Sequence, residues 1–272
     1  MIPQFLGSPP TEGEVEKLRL MLSIYQDGTG QLAAASGRTL PGWRDFQRSV
    51  ALVFNGVAQE SKAVFDVLVP ISESPCISYG ISCKMHHTLR TVGKQNRVTM
   101  EISNLAEEFW NRLGDRRSAD LESDPAFAGE MLLGGVEGGY DAVGLDQGGS
   151  VDLARSFYLT LQWDRETGRY KFFQFLLVLP DPEDLSWGVK EGRLIATDSD
   201  GVVLEWYGYA GGPLRYYPSA DRAVWSSEIL YLESLPEHGD QYGSPRKVSE
   251  YFPDLWGAAD ALDNVRIYNR NL

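Results

Sequence analysis

The sequence predicts a mixed α/β protein of the α+β kind, with a central mixed sheet flanked by helices and a β-rich C-terminal part. Three observations predict this class. Amphipathic helical patterns precede residue 55, two segments rich in β-branched residues follow between residues 63 and 85, and strand patterns dominate beyond residue 150. The chain has 272 residues, which is enough for one large domain or two small ones with a sizeable core.

Two helices are predicted near the N-terminus. Residues Thr11–Glu14 read TEGE, which is a capping box. The apolar residues that follow it at helical spacing are Val15, Leu18, Leu22 and Tyr25. The second helix begins after LPG and ends at Asn55 and Gly56. Its apolar face consists of Trp43, Phe46, Val50, Val53 and Phe54.

Strands are predicted next. Ala63–Pro70 (AVFDVLVP) is rich in β-branched residues and ends at a proline, and Cys76–Met85 (CISYGISCKM) forms a second strand. RVTMEISN is either a third strand or the lead into a helix. Asn104 is a good N-cap with Glu107 three residues on, so LAEEFWNRL is predicted to be helical.

Residues 114–150 are rich in glycine and aspartate and contain LLGGVEGGYDAVGLDQGG. This composition predicts a long loop, an insertion or a domain boundary. Beyond it, strands are predicted in SFYLTLQWD, YKFFQFLLVLP, GRLIATD and GVVLEWYGYAG. DSDG separates the last two and reads as a hairpin turn rather than a calcium loop, because no ligand loop follows it.

Composition narrows the class of protein. Hydrophobic residues make up 43% and aromatic residues 11%, as in folded soluble proteins. No secretory signal pattern opens the chain, and its longest apolar stretch is only Phe175–Leu179, so a cytoplasmic protein without a membrane span is expected. Cys76 and Cys83 match no zinc spacing, and reduced thiols are favoured over a disulfide.

Positive charge is segregated along this acidic chain. The net charge of −13 argues against a protein that coats nucleic acid nonspecifically, but it permits a local basic patch. Between Ser82 and Met100 there are four Lys or Arg residues, two histidines and no acid. The segment from Glu107 to Asp152 contains eleven acidic residues and only three arginines. Any contact with a polyanion is therefore expected near the first of these segments.

Phosphodiester cleavage requires carboxylates to hold Mg²⁺ and benefits from a lysine that positions the attacking water. Asp66 lies in the first predicted strand, and Ser82 and Lys84 lie two residues apart in the second, so they share a face. If the two strands form a hairpin, Asp66 and Lys84 can meet. Cys83 then points to the opposite side, which argues against a cysteine nucleophile.

These residues resemble the PD-(D/E)xK motif of restriction-endonuclease-like nucleases, over about residues 43–113. Asp66 and Ser82-x-Lys84 match the motif, except that Phe65 replaces the proline and Ser82 replaces the second acid. The preceding helix, GWRDFQRSVALVFNG, resembles the entry helix of the family, and Glu60 resembles its auxiliary acid.

The departure at the second acid has a precedent in the family. Restriction enzymes that cut CCGG-containing sites carry SxK, and their missing carboxylate comes from a later helical segment. Glu101, which lies 17 residues after Lys84, is the candidate for that displaced acid.

The resemblance implies a restriction-endonuclease-like fold and a Mg²⁺-dependent type II restriction endonuclease that cleaves double-stranded DNA at a short site. Asp66, Glu101 and Glu60 would bind metal, Lys84 would position water, and Ser82 would support the site. The residues expected to contact DNA are His86, His87, Arg90, Lys94 and Arg97. A palindromic target would imply a homodimer, and a companion DNA methyltransferase is a possible partner.

Three regions are then expected: a nuclease core with N-terminal helices at 1–113, the loop or insertion at 114–150, and a β-rich part at 151–272 that completes the sheet or recognises DNA. Structural alternatives stay open for single residues. Asp66 could be a satisfied core acid, Lys84 a solvated strand end, and Glu101 a charge at a helix N-terminus. The alternative functions are a noncatalytic DNA- or protein-binding member of the fold and a carbohydrate-binding or carbohydrate-active β-rich protein.

Overall fold

The computed structural model describes residues 9–33, 39–59, 64–71, 74–102, 109, 122–207, 212–235 and 247–269. The helices are α1 (Glu12–Ser23), α2 (Trp43–Val53), α3 (Leu89–Gln95), α4 (Pro125–Asp141), α5 (Val248–Tyr251) and α6 (Pro253–Asn269). The strands up to the middle of the chain are β1 (Leu32–Ala33), β2 (Thr39–Leu40), β3 (Val57–Ala58), β4 (Val67–Ile71), β5 (Ser74–His86) and β6 (Met100–Ile102). Those that follow are β7 (Phe157–Asp164), β8 (Arg169–Leu176), β9 (Ser186–Lys190), β10 (Arg193–Asp198), β11 (Gly201–Trp206), β12 (Leu214–Tyr216), β13 (Trp225–Ser226) and β14 (Leu230–Tyr231).

A mixed sheet forms the centre of the molecule, as the sequence predicts. Its strand order is β13-β8-β7-β5-β4-β3, and β14 also pairs with β8. The pairing of β5 with β7 is parallel, whereas the other pairings in this sheet are antiparallel. The predicted hairpin is present, because β4 and β5 pair with Val67 opposite Ile81. The C-terminal part therefore extends the sheet through β7 and β8.

A second, antiparallel sheet has the order β6-β12-β11-β10-β9. The third predicted strand, β6, joins it and pairs with β12, so Glu101 lies opposite Arg215. The turn at DSDG closes the β10–β11 hairpin, as predicted. One face of this sheet is apolar: Met100, Ile102, Leu194, Leu204, Trp206 and Leu214 are all buried in one core cluster. The other face carries the polar side chains described below.

Successive side chains of β7 and β8 point to opposite faces of the central sheet, so each strand contributes to the core on both faces. Phe157 and Phe172 pack with α1 and α2, together with Leu18 and Phe46. On the opposite face, Tyr158 and Phe173 pack with the apolar face of the second sheet and with α4. A third cluster joins the far side of α1 to α5, through Leu20, Met21, Ile24, Val248 and Phe252. The central sheet is therefore covered on both sides.

The loop predicted for residues 114–150 is wrong over Pro125–Asp141, which forms α4. The start of α4 has the usual features of a helix N-terminus, since Asp124 accepts a hydrogen bond from the backbone N–H of Phe127 at 3.2 Å and Pro125 occupies the first turn.

The basic segment also contains a helix, α3, that the sequence analysis did not predict. Asn104, Glu107 and Glu60 lie outside the described residues, and so does LAEEFWNRL apart from Phe109. None of the helices in the described part of the chain has the length and apolar character of a membrane span.

Candidate active site

Side chains alternate between the two faces of β5, which places its polar side chains on one face and its apolar ones on the other, as predicted. Ser82, Lys84 and His86 lie on one face, and Cys83 lies in the core cluster on the other side. Cys76 and Cys83 are both free thiols, which confirms the prediction of reduced cysteines. Burial raises the pKa of the Cys83 thiol, and the nearby Asp66 carboxylate raises it further. Such a thiol is a poor nucleophile, so Cys83 has a packing role.

Asp66 meets this face of β5 just before β4 begins. Its Oδ2 atom lies 3.3 Å from Lys84 Nζ and accepts a hydrogen bond from the backbone N–H of Cys83 at 2.8 Å. The Ser82 hydroxyl donates to the same oxygen over 3.5 Å, at the outer limit of a hydrogen bond. The side chains of Lys84 and Asp66 are 13% and 23% exposed, so the pair is largely buried with part of each side chain open to solvent. The predicted meeting of Asp66, Ser82 and Lys84 is confirmed.

Gln47 is a site residue that the sequence analysis missed. It lies on α2, and its Nε2 atom donates to Asp66 Oδ1 at 2.6 Å. The amide thus holds the carboxylate oxygen that does not face Lys84. The sequence contained one available signal, because Gln47 is a polar residue one turn beyond Trp43 on the predicted entry helix.

The neighbouring strand β7 adds buried polar groups beside Lys84 and His86. Thr160 pairs with Lys84 and Gln162 pairs with His86 in the parallel register. Gln162 is fixed at both ends of its amide, accepting from the Thr88 hydroxyl at 2.6 Å and donating to Thr99 O at 2.9 Å. The Thr160 hydroxyl is buried and has no hydrogen-bond partner in the described part of the chain. A polar group of this kind is where a water molecule or a ligand atom is expected.

Glu101 lies on β6 in the second sheet. Its Oε1 atom accepts from Arg215 Nε at 3.0 Å, and both side chains are more than one third exposed. Arg215 Nη1 donates to the Tyr207 hydroxyl at 3.0 Å, which in turn donates to Glu205 at 2.7 Å. The guanidinium groups of Arg193 and Arg215 both lie over the Tyr207 ring, at 4.8 and 4.9 Å from its centroid. These polar side chains line the face of the second sheet that points away from the core.

His86 connects the two parts of the site electrostatically. Its pKa is lowered mainly by burial, and Arg215, His87 and Lys84 lower it further, whereas Glu101 raises it. The charges that act on His86 come from both the central sheet and the second sheet. The imidazole is neutral near pH 7, which makes it a hydrogen-bonding group rather than a cationic phosphate contact.

The remaining predicted DNA contacts are not equivalent. His87 and Lys94 are exposed, as a contact requires. Arg90 is neutralised by Asp164 and Glu166, at 2.8 and 2.7 Å. Arg90 is therefore a weaker candidate for a phosphate contact than the sequence suggested.

The prediction that Arg97 contacts DNA is wrong, because such a contact requires an exposed side chain and Arg97 is buried in a structural ion pair. It is 9% exposed, its Nη2 atom lies 2.5 Å from Asp198 Oδ1, and its Nη1 atom donates to Tyr217 O at 3.2 Å. The hydrogen bond from Arg97 lowers the pKa of the Asp198 carboxyl. Arg97 also lines a cavity of about 360 Å³ whose walls include Asp181, Asp184 and Asp200. These acids make the surroundings unfavourable for a phosphate.

Carboxylates are ligands of the kind that a hard divalent cation prefers. No group of three or more His, Cys, Asp or Glu side chains that could hold a metal ion occurs within the described residues. Mg²⁺ commonly binds through one or two carboxylates, several waters and the phosphates of its substrate. Asp66 and Glu101 are the two predicted metal ligands that the structure describes, and each is a carboxylate of that kind. The third predicted ligand, Glu60, lies outside the described residues.

Comparisons with known proteins give no relative for this chain: no family model, no curated protein and no solved structure matches it.

Proposed function

We propose that this protein is a Mg²⁺-dependent endonuclease that cleaves double-stranded DNA, in the manner of a type II restriction enzyme. The observation that carries the proposal is the contact of Lys84 Nζ with Asp66 Oδ2 at 3.3 Å, on a face of β5 that also carries Ser82. An ammonium group beside a carboxylate supplies two of the charges that phosphodiester hydrolysis uses. The resemblance to the SxK variant of the PD-(D/E)xK nucleases supports the same reading.

In the proposed reaction, water attacks the phosphorus atom and the bond to the 3′ oxygen breaks, leaving a 5′ phosphate. Asp66 and Glu101 would hold Mg²⁺, which polarises the phosphoryl oxygens and activates the water when it is bound. Lys84 donates hydrogen bonds to that water and offsets the negative charge that develops on the phosphate. Gln47 and the Cys83 N–H keep the Asp66 carboxylate in place without taking part in the chemistry.

The displaced acid accounts for the serine at position 82. Ser82 is buried and touches Asp66 only at 3.5 Å, so it packs beneath the site and cannot replace a carboxylate. Glu101 would provide that charge from the neighbouring sheet, where its Oε1 atom lies 3.0 Å from Arg215 Nε. Metal binding would exchange the arginine contact for a contact with the cation, since a carboxylate oxygen accepts either.

The test is digestion of a methylation-free plasmid with the purified full chain in Mg²⁺ or Mn²⁺, followed by sequencing of the fragment ends. We expect defined ends that require the metal. Lys84→Ala should lower the cleavage rate by a factor of roughly 10² or more, as is typical when a group that stabilises transition-state charge is removed. Lys190→Ala is the matched control, because Lys190 is an exposed lysine on β9.

Two outcomes decide against this proposal. If the wild-type protein cuts no plasmid with either metal, the alternative of a noncatalytic DNA- or protein-binding protein gains. The small number of described carboxylates favours that alternative, because Asp66 already has Lys84 as a direct partner. If Lys84→Ala cuts as fast as Lys190→Ala, the site is not the one described here. The homodimer, the short recognition site and the companion methyltransferase remain predictions that depend on cleavage being found.

A further inference from the structure

The exposed face of α2 is a second region whose chemistry the proposed reaction does not use. Trp43 is 53% exposed, although it was predicted to belong to the apolar face of this helix. The Arg44 guanidinium lies over its ring, 4.9 Å from the ring centroid. An exposed tryptophan with an arginine on one side of the ring leaves the other side available to a flat ligand.

The same face is positive in a protein whose net charge is −13. Arg44 and Arg48 are exposed, and neither forms an ion pair with any residue that the structure describes. The one acid of α2, Asp45, is 3% exposed, and its Oδ2 atom accepts from the backbone N–H groups of Gly42 at 2.8 Å and Gln31 at 3.1 Å. The exposed charge of α2 is therefore entirely positive, which suits a polyanion.

The position of this face ties it to the candidate active site. Trp43 and Gln47 are four residues apart on one helix, so their Cβ atoms are neighbours at about 5–6 Å. Gln47 donates directly to Asp66 at 2.6 Å. The Trp43 ring is therefore one helical turn from the side chain that contacts Asp66, and a strand bound at Asp66 would reach it within a few nucleotides at about 3.4 Å per nucleotide.

We propose that the exposed face of α2, formed by Trp43, Arg44 and Arg48, binds a DNA strand beside the cleaved phosphate. Arg44 and Arg48 bind phosphates, and the Trp43 ring stacks on a base that has left the helical stack. An exposed ring stacks most readily on an unpaired base, because stacking on it requires no base pair to open. The position beside the cut rests on the proposed function, whereas the binding of DNA by α2 does not.

The test measures binding without cleavage. The full chain in Ca²⁺ is titrated into a labelled single strand of about 20 nucleotides, which exceeds a typical single-strand site of roughly 4–16 nucleotides, and into the matching duplex. We expect Trp43→Ala to weaken single-strand binding by roughly 5- to 100-fold and Trp43→Phe to retain most of it. Arg44→Ala should lower the slope of log affinity against log salt by about 0.7 for the single strand. The controls are Tyr231→Ala, which removes another exposed aromatic ring, and Lys190→Ala.

The outcomes separate this inference from the proposed function. Binding that depends on Trp43 and Arg44, in a protein that cuts no plasmid, would support the inference and refute the endonuclease. If the wild type cuts the plasmid but Trp43→Ala and Arg44→Ala bind DNA as well as their control variants do, the inference is overturned and the proposed function is not. The inference is also overturned if the wild type binds neither probe. The same holds if polyglutamate displaces the labelled single strand at the same concentration of charge as unlabelled DNA, because binding would then depend on charge alone. All variants are checked for wild-type thermal unfolding.

Discussion

Asp66 has its carboxylate oriented by groups from two other elements. Gln47 of α2 donates to Oδ1, and the Cys83 N–H and Lys84 of β5 contact Oδ2. A carboxylate held in this way has little orientational freedom left to lose. In the proposed reaction, the contact of Lys84 with Asp66 Oδ2 would loosen to admit the cation.

Gln47→Ala tests how much this orientation contributes. Removal of the amide frees Asp66 Oδ1, so we expect slower cleavage and a higher Mg²⁺ concentration for half-maximal rate. The free energy of unfolding should fall by about 0.5–1.5 kcal/mol, the usual range for one hydrogen bond. Gln147→Ala, at an exposed glutamine remote from any predicted site residue in the sequence, is the control. An unchanged metal dependence would mean that Gln47 has no positioning role.

His86 gives the protein a predicted pH dependence. Burial lowers its pKa, with Arg215, His87 and Lys84 adding to the effect. Below the ordinary histidine pKa of about 6.5, the unfolded chain therefore binds a proton that the folded protein does not. Folding stability is complete above that value and is lost as the pH falls toward the lowered pKa.

His86→Gln should remove this contribution. We expect the difference in unfolding free energy between about pH 7.5 and about pH 5, measured by urea denaturation, to be smaller in the variant than in the wild type. His87→Gln is the matched control, because His87 is the exposed neighbour on the same chain segment. If both variants keep the full pH dependence, the charge on His86 does not oppose folding.

The sequence revealed Asp66, Ser82 and Lys84 because a period of two and a short hairpin are local properties. The contact of Gln47 with Asp66 was not predicted, because the packing of α2 against the hairpin is a tertiary contact. The contact of Arg215 with Glu101 was not predicted either, because the two residues are 114 apart in sequence and no local pattern pairs them. The same limit explains Arg97, whose partner Asp198 belongs to the second sheet.

At the scale of elements, α4 shows why its segment looked like a loop. Glycine lowers helix propensity by about 1 kcal/mol relative to alanine, so a glycine-rich segment predicts a turn or a loop. In the structure, Gly129 brings α4 against β9, and a Cβ at that position would overlap the Trp187 ring. Only tertiary packing reveals that this glycine permits close approach.

Gly129→Ala and Gly139→Ala separate these two effects of glycine within one helix. At Gly139 an added Cβ meets nothing within 4 Å, so alanine should stabilise the protein by up to about 1 kcal/mol. At Gly129 the overlap with Trp187 should destabilise it by about 1–3 kcal/mol. Urea denaturation of both variants measures the difference. Equal effects at the two positions would show that α4 does not pack against β9 as described.

At the scale of the whole molecule, the charge distribution and the site favour the same surface. The net charge of −13 repels DNA from most of the protein, and acids also line the cavity at Arg97. Lys84 contacts Asp66, and Gln47 connects Asp66 to α2, whose exposed charges are positive. An acidic body with a small basic site limits nonspecific binding while it permits binding at one place.

The final prediction concerns the division of the chain at residue 150. The core cluster on one face of the central sheet contains residues from Phe65 to Tyr216, and β7 is the parallel partner of β5. A fragment of residues 1–150 would leave that edge of β5 without its partner strand and would expose the side of α4 that packs against β9 and β10. We therefore expect the fragment alone to show no cooperative unfolding by circular dichroism, and co-expression with residues 151–272 to restore a single transition. Cooperative unfolding of the isolated fragment would instead show that the first 150 residues form an independent domain, and that β7 and β8 dock onto a sheet that is already stable.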